Sequence, residues 1–216
     1  MGADEPTGEI VLGRATIGVR MEQRARYTSH TMTDTNGHHQ FVVTGASTAG
    51  KSTFSHELVK KYYVQHICID PIVDAFQTVF PELGITHDAP DLQRHFAVCR
   101  KFKPFVFKML DELKADDFVL EGFRLPLDDM RAKYPHLQYF VFAFPTATVE
   151  ERLAACRKHD VNSWTNLMSD DELRASMTFL IEESKRLEDM CARLGIPFFD
   201  TGKEYWPQIE RALTLT

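Results

Sequence analysis

Residues Gly45-Ala46-Ser47-Thr48-Ala49-Gly50-Lys51-Ser52 spell G-x-x-x-x-G-K-S and follow directly on the apolar run Phe41-Val42-Val43-Thr44. A glycine at each end lets the backbone turn tightly enough for successive amide N–H groups to point inward at a polyphosphate. A helix opening at Lys51-Ser52 turns its unpaired N–H groups and the positive end of its dipole toward the same anion. Lys51 is then placed to reach the β and γ phosphates of a nucleoside triphosphate, the Ser52 hydroxyl to ligate Mg²⁺, and Thr53 to continue the binding turn. The competing reading is a chance match in a glycine-containing turn. The strand-like run before it and the amphipathic stretch after it argue against chance, because strand, loop and helix are the context this chemistry needs.

Working outward, the 216 residues suit one α/β domain, and the 44% hydrophobic and 26% charged fractions are those of an ordinary globular chain. No stretch approaches the ~20 apolar residues needed to cross a bilayer, and the start Met1-Gly2-Ala3-Asp4-Glu5-Pro6 has no secretory-signal character. Cys68, Cys99, Cys156 and Cys191 are scattered without metal-ligand spacing, which reads as reduced thiols in a cytoplasmic protein. The net charge of −6 argues against a general nucleic-acid binder. Residues 1–37 mix Gly, Thr, Arg and acids and end in the turn-like Thr35-Asn36-Gly37; they read as a flexible N-terminal extension, with Met21 and Met32 as further candidate starts.

From residue 38 to 216 strand and helix signals alternate, which predicts a mainly parallel sheet covered by helices. Strands are expected at Phe41–Thr44, His66–Ile69, Phe118–Glu121, Tyr139–Phe144 and Pro197–Phe199. Helices are expected at about 51–63, 71–79, 91–114, 127–133, 147–158, 170–194 and 205–213. In the long helix from Asp170, the stripe Leu173, Met177, Leu180, Ile181, Leu187, Met190 and Leu194 reads as core, and Gly195-Ile196-Pro197 stops it.

Other motifs narrow the chemistry. The N-K-x-D and downstream D-x-x-G of GTPases are absent, as is an L-S-G-G-Q-like transporter signature. The second strand ends in Asp70, where a carboxylate faces the ligand crevice of an open α/β sheet and can orient or deprotonate an acceptor hydroxyl. Before Pro71 the same residue also suits a helix N-cap, and Asp74 is the fallback. The third strand closes on Glu121-Gly122, a Walker B type carboxylate for Mg²⁺, with Arg124 either at the crevice mouth as a substrate contact or an ordinary turn charge. In Glu150–Asp160, Arg157 is the expected catalytic arginine, with Arg152 and Lys158 as helpers; Arg152 paired with its neighbouring glutamates is the alternative. Trp164 either anchors a lid or packs at the base of the long helix. Arg94, Arg100, Lys101, Lys103 and Lys108 form a basic run around Pro104, which should kink its helix. That run is a solvated face or a site for an anionic acceptor, with Arg100 as the candidate contact.

These residues, with a last strand ending Phe198-Phe199-Asp200-Thr201-Gly202, resemble the phosphate-loop kinases of nucleosides, nucleotides and other small metabolites, a group that includes adenylate and shikimate kinases. The resemblance spans residues 40 to about 212 and implies a three-layer α/β fold with a five-stranded parallel sheet in the order 2-3-1-4-5. It also implies acceptor-binding helices at about 71–114, a lid at about 152–169, and ATP with Mg²⁺ as donor. Asp200 and Thr201 would then border the base, largely through backbone groups. The implied activity is transfer of the γ-phosphoryl group to a small-molecule acceptor. A kinase of nucleic-acid 5′ ends, a kinase of antibiotics or sugars, and a non-catalytic nucleotide sensor share the same core and remain alternatives.

Overall fold

The computed structural model describes residues 37–88, 91–159 and 163–216. The extension expected at the N-terminus lies outside them but for Gly37, as does the stretch 160–162 within the expected lid. Five parallel strands run β1 (Gln40–Gly45), β2 (Gln65–Cys68), β3 (Phe118–Gly122), β4 (Gln138–Ala143) and β5 (Phe198–Asp200), in the order β2-β3-β1-β4-β5. The helices are α1 (Lys51–Tyr62), α2 (Asp70–Val79), α3 (Leu92–Glu112), α4 (Leu127–Lys133), α5 (Val149–His159), α6 (Asp170–Leu194) and α7 (Tyr205–Leu213). Single 3₁₀ turns at Pro81–Leu83 and Trp164–Leu167 carry no periodic signal and were not expected.

Strands β1 and β3 are buried along their whole length because helices cover both faces of the sheet. On one face Phe41, Val43, Val119, Phe140 and Phe142 pack with α1, α5, α7 and the first half of α6, through Phe54, Leu58, Cys156, Ile209, Leu173 and Met177. On the other, Val42, Leu120, Tyr139 and Val141 meet α2, α3, α4 and the second half of α6, through Val73, Phe102, Val106, Met130, Leu187 and Met190. Helix α6 thus serves both cores, as its apolar stripe predicts. It opens with a capping box between Ser169 and Glu172 and ends at Gly195 in the left-handed conformation. Helix α3 continues through Pro104, so the kink expected there does not end or split it. Among the described residues no helix is long and apolar enough to cross a membrane.

Register carries the site. In a parallel sheet paired residues share a face, and Val43 and Cys68 both pair with Glu121. Glu121, the next-to-last residue of β3, therefore lies between β1 and β2 on the α1 face. Thr44 ties the tops of β1 and β3 together, its hydroxyl donating to the Gly122 carbonyl at 2.8 Å.

Candidate active site

The loop Gly45–Gly50 wraps over the end of β1 with positive φ at Gly45, Thr48 and Gly50. Gly45 lies so close to β4 that a Cβ there would stand 1.8 Å from the Phe142 carbonyl oxygen. At Gly50 the next contact is the Tyr205 ring, 3.0 Å from an added Cβ. Thr48 is a β-branched residue at φ 61°, a strained choice for which the surroundings must compensate. Arg152 does so from α5: its Nη2 donates to the Thr48 carbonyl at 3.1 Å and to the Thr48 hydroxyl at 2.8 Å. Arg152 is buried, with its guanidinium 4.2 Å from the Phe144 ring centre. It is not a surface partner of the neighbouring glutamates.

Lys51 is buried and donates from Nζ to the Ala46 carbonyl at 2.8 Å. Burial pulls its ammonium below the usual range, while the charges of Asp70 and Glu121 act in the opposite direction. One residue on, the Ser52 hydroxyl donates to Glu121 Oε1 at 2.6 Å. A hydroxyl and a carboxylate, both hard oxygen donors, meeting beside a buried lysine fit Mg²⁺. Thr53 meets the Tyr205 hydroxyl at 2.7 Å. Glu121 is buried, and its second oxygen, Oε2, accepts from His66 Nε2 at 2.7 Å.

Asp70 is the first residue of α2. The N-cap is Ile69, and no side chain caps the helix, so the capping role is not the one the structure uses. Its Oδ1 is buried and, among the described residues, has no hydrogen-bond partner. The Asp70 charge reaches both Lys51 and Arg124.

Arg124 is buried rather than an exposed turn charge. It donates to the His87 carbonyl at 2.9 Å and to His95 Nδ1, and its plane covers Phe123 at 4.8 Å. His95 Nε2 lies 3.5 Å from Glu183, which Arg186 grips with both arms at 2.8 and 2.6 Å. Burial, together with the two arginines, lowers His95 to about 3, so the ring is neutral and able to accept from Arg124. His95, Glu183 and Arg186 of this polar chain line a cavity of about 420 Å³ between α3, the segment after β3, and α6, together with Phe96, Arg100 and Phe123.

The other expected site residues divide between the loop and more distant contacts. Arg157 donates to the carbonyls of Thr165 and Met168, both at 2.7 Å, and to Asp170 at 2.9 and 3.1 Å, so it ties α5 to the start of α6. Of the basic run, Arg100 is exposed and borders the cavity; Arg94, Lys103 and Lys108 face Asp91, Asp129 and Glu112. The Thr201 hydroxyl bridges the Ala49 and Ala143 carbonyls at 3.0 and 3.2 Å, bracing the phosphate loop from behind. Asp200 accepts from the Gly202 amide within its own turn and from the Thr146 hydroxyl in the segment after β4. His66, His95 and Glu183 escaped sequence reasoning. Positions 95 and 183 fall on the buried stripes of their helices, and a titratable residue on such a stripe is the signal that marks them.

Among solved structures, the shikimate kinase of Bacteroides thetaiotaomicron superposes with a TM-score of 0.53 over 82% of this chain and 97% of its own, at 18% identity. The chain has the fold of the phosphate-loop kinases. A sugar kinase from a Janibacter species matches with a TM-score of 0.47, 17% identity and coverage of 82% and 94%, a likeness that adds nothing to that argument. No protein-family model matches the sequence, and no curated protein does.

Proposed function

We propose that this chain transfers the γ-phosphoryl group of Mg-ATP to a hydroxyl or phosphate group of a small metabolite. The observation that carries the reading is the Ser52–Glu121 hydrogen bond of 2.6 Å beside buried Lys51, together with the unpartnered oxygen of Asp70 at the next strand end. The loop amides and Lys51 hold the β and γ phosphates, while Ser52 and Glu121 hold the metal. Bound Mg²⁺ neutralises charge on the phosphate oxygens. Asp70 orients the acceptor and takes up its proton, since its free oxygen and its reach to Lys51 suit a group positioned between donor and acceptor.

In this scheme Arg152 supplies the positive charge beside the loop, and Arg157 braces the base of the lid. The bonds of Arg157 to two carbonyls and Asp170 support that division. Arg124, whose charge reaches Asp70, is the acceptor contact in this scheme, and Arg100 edges the cavity beside it. Arg124 has a buried Nε without a partner among the described residues, and a neutral histidine as neighbour, which favours an acceptor with a carboxylate or phosphate. The carboxylates facing the basic run of α3 favour a small molecule over a nucleic-acid end.

The test is ADP release from Mg-ATP across nucleosides, nucleoside monophosphates, sugars, sugar phosphates and hydroxy acids. Release should require one acceptor class and vanish in Lys51→Ala. Tight ATP binding without release on any acceptor would move the reading to a nucleotide sensor.

A further inference from the structure

Glu121 is held on its far side by a residue that belongs to no phosphate-binding motif. A glutamate has one more rotatable bond than an aspartate, so a metal-binding Glu needs more to fix its carboxylate. Both Glu121 oxygens are engaged: Oε1 by Ser52 at 2.6 Å and Oε2 by His66 at 2.7 Å. Ser52 is itself placed to ligate the cation, so His66 is the partner that stands outside the ligand set. A carboxylate only accepts, so His66 Nε2 carries the hydrogen whatever the charge of the ring.

His66 is fixed for this task. It lies on β2, the edge strand, two residues before Cys68, the register partner of Glu121, and so projects toward the same face. The His56 ring from α1 meets it edge-on, with centroids 5.2 Å apart and planes at 80°. The Glu121 side chain is 3% exposed and that of His66 24%, so the hydrogen bond closes the site toward solvent at the sheet edge. Loss of a group that orients a metal ligand from outside the coordination shell typically costs about 10–100-fold in metal affinity or activity.

We propose that His66 is a positioning residue that orients the Glu121 carboxylate for Mg²⁺ and thereby sets the Mg²⁺ requirement of nucleotide binding. The inference rests on the reading of Ser52 and Glu121 as the metal site. Its test is calorimetric titration of ADP into the wild type, His66→Phe and His66→Gln, over a range of Mg²⁺ and in EDTA. Phenylalanine keeps the ring's bulk without a donor, and glutamine places an N–H near the position of Nε2. The Phe variant should need ~10-fold more Mg²⁺ for half-maximal tightening, with Gln within ~3-fold of wild type. ADP affinity in EDTA should be the same for all three. A Phe variant with the wild-type Mg²⁺ requirement, equal impairment of Phe and Gln, or a loss that persists in EDTA would overturn the proposal. Wild-type protein whose ADP affinity ignores Mg²⁺ would overturn the metal site and this inference together, a failure visible before any variant is made.

Discussion

His95 makes the core of this protein sensitive to acid in a way that can be calculated. Its ring lies between Phe96 and Phe123, accepts from Arg124 at Nδ1, and faces Glu183 and Cys99 at Nε2, with Arg186 just beyond. Protonation would remove the acceptor and place a third cation beside two arginines. Burial first, and then the charges of Arg124 and Arg186, hold this histidine at about 3 in the folded state, against an ordinary value of 6.5. Between those values the unfolded chain binds the proton and the folded chain does not, so stability from this residue is full above 6.5 and is lost as pH falls. The loss is about 2 kcal/mol at pH 5, and approaches about 5 kcal/mol near pH 3, at ~1.4 kcal/mol per pH unit. Carboxylates titrate in the same range, so the control is His95→Gln, which offers an acceptor to Arg124 and a donor to Glu183 without titrating. Urea denaturation of both proteins at pH 7 and pH 5 measures the difference. The wild type should lose about 2 kcal/mol more than His95→Gln over that interval. Parallel losses would refute the argument that a neutral histidine anchors Arg124.

Four further substitutions separate roles that the geometry assigns. Gly45→Ala should abolish stable folding, because its Cβ would lie 1.8 Å from a backbone oxygen of β4, and a loss above ~4 kcal/mol is expected in chemical denaturation; Gly195→Ala, with nothing within 4 Å of its Cβ, should cost only ~1 kcal/mol. Arg152→Ala removes both bonds that hold Thr48 in its left-handed conformation, and calorimetry should find ATP affinity weakened by about tenfold or more, as two charge-assisted bonds suggest. Arg157→Ala should speed proteolysis around residues 163–168 while changing turnover by less than about tenfold; a loss near 10³-fold with unchanged proteolysis would return Arg157 to the transferring phosphate.

The sheet was legible because its signals are local. Apolar runs such as Phe41–Thr44, and a helical stripe as long as that from Leu173 to Leu194, show their periods without reference to the rest of the chain. Strand ends shifted by a residue because pairing, not composition, decides them; Asp200 joins β5 through its register with Ala143. The tight Gly45–Gly50 turn between β1 and α1 could be read since one segment contains its glycines, the strand before it and the helix after it. The pairing of His66 with Glu121, and that of His95 with Arg124 and Glu183, could not, because each joins segments far apart in the chain. Arg124 illustrates the same limit: in sequence it is a charge after a strand, and only the packing of α3 and α6 over it makes it buried. Arg152 and Arg157 sit on one helix with similar neighbours, and only the fold places Arg152 on the loop and Arg157 against the start of α6.

The central claim is phosphoryl transfer at the Lys51–Glu121–Asp70 site. ³¹P NMR of Mg-ATP incubated with the acceptor found by the panel, using wild-type protein and Asp70→Asn, tests it most directly. A new phosphate ester or anhydride resonance should grow in step with ADP in the wild type and be slowed by at least ~10²-fold in the variant. ATP converted to ADP and inorganic phosphate at the same rate with and without any acceptor, in both proteins, would contradict it.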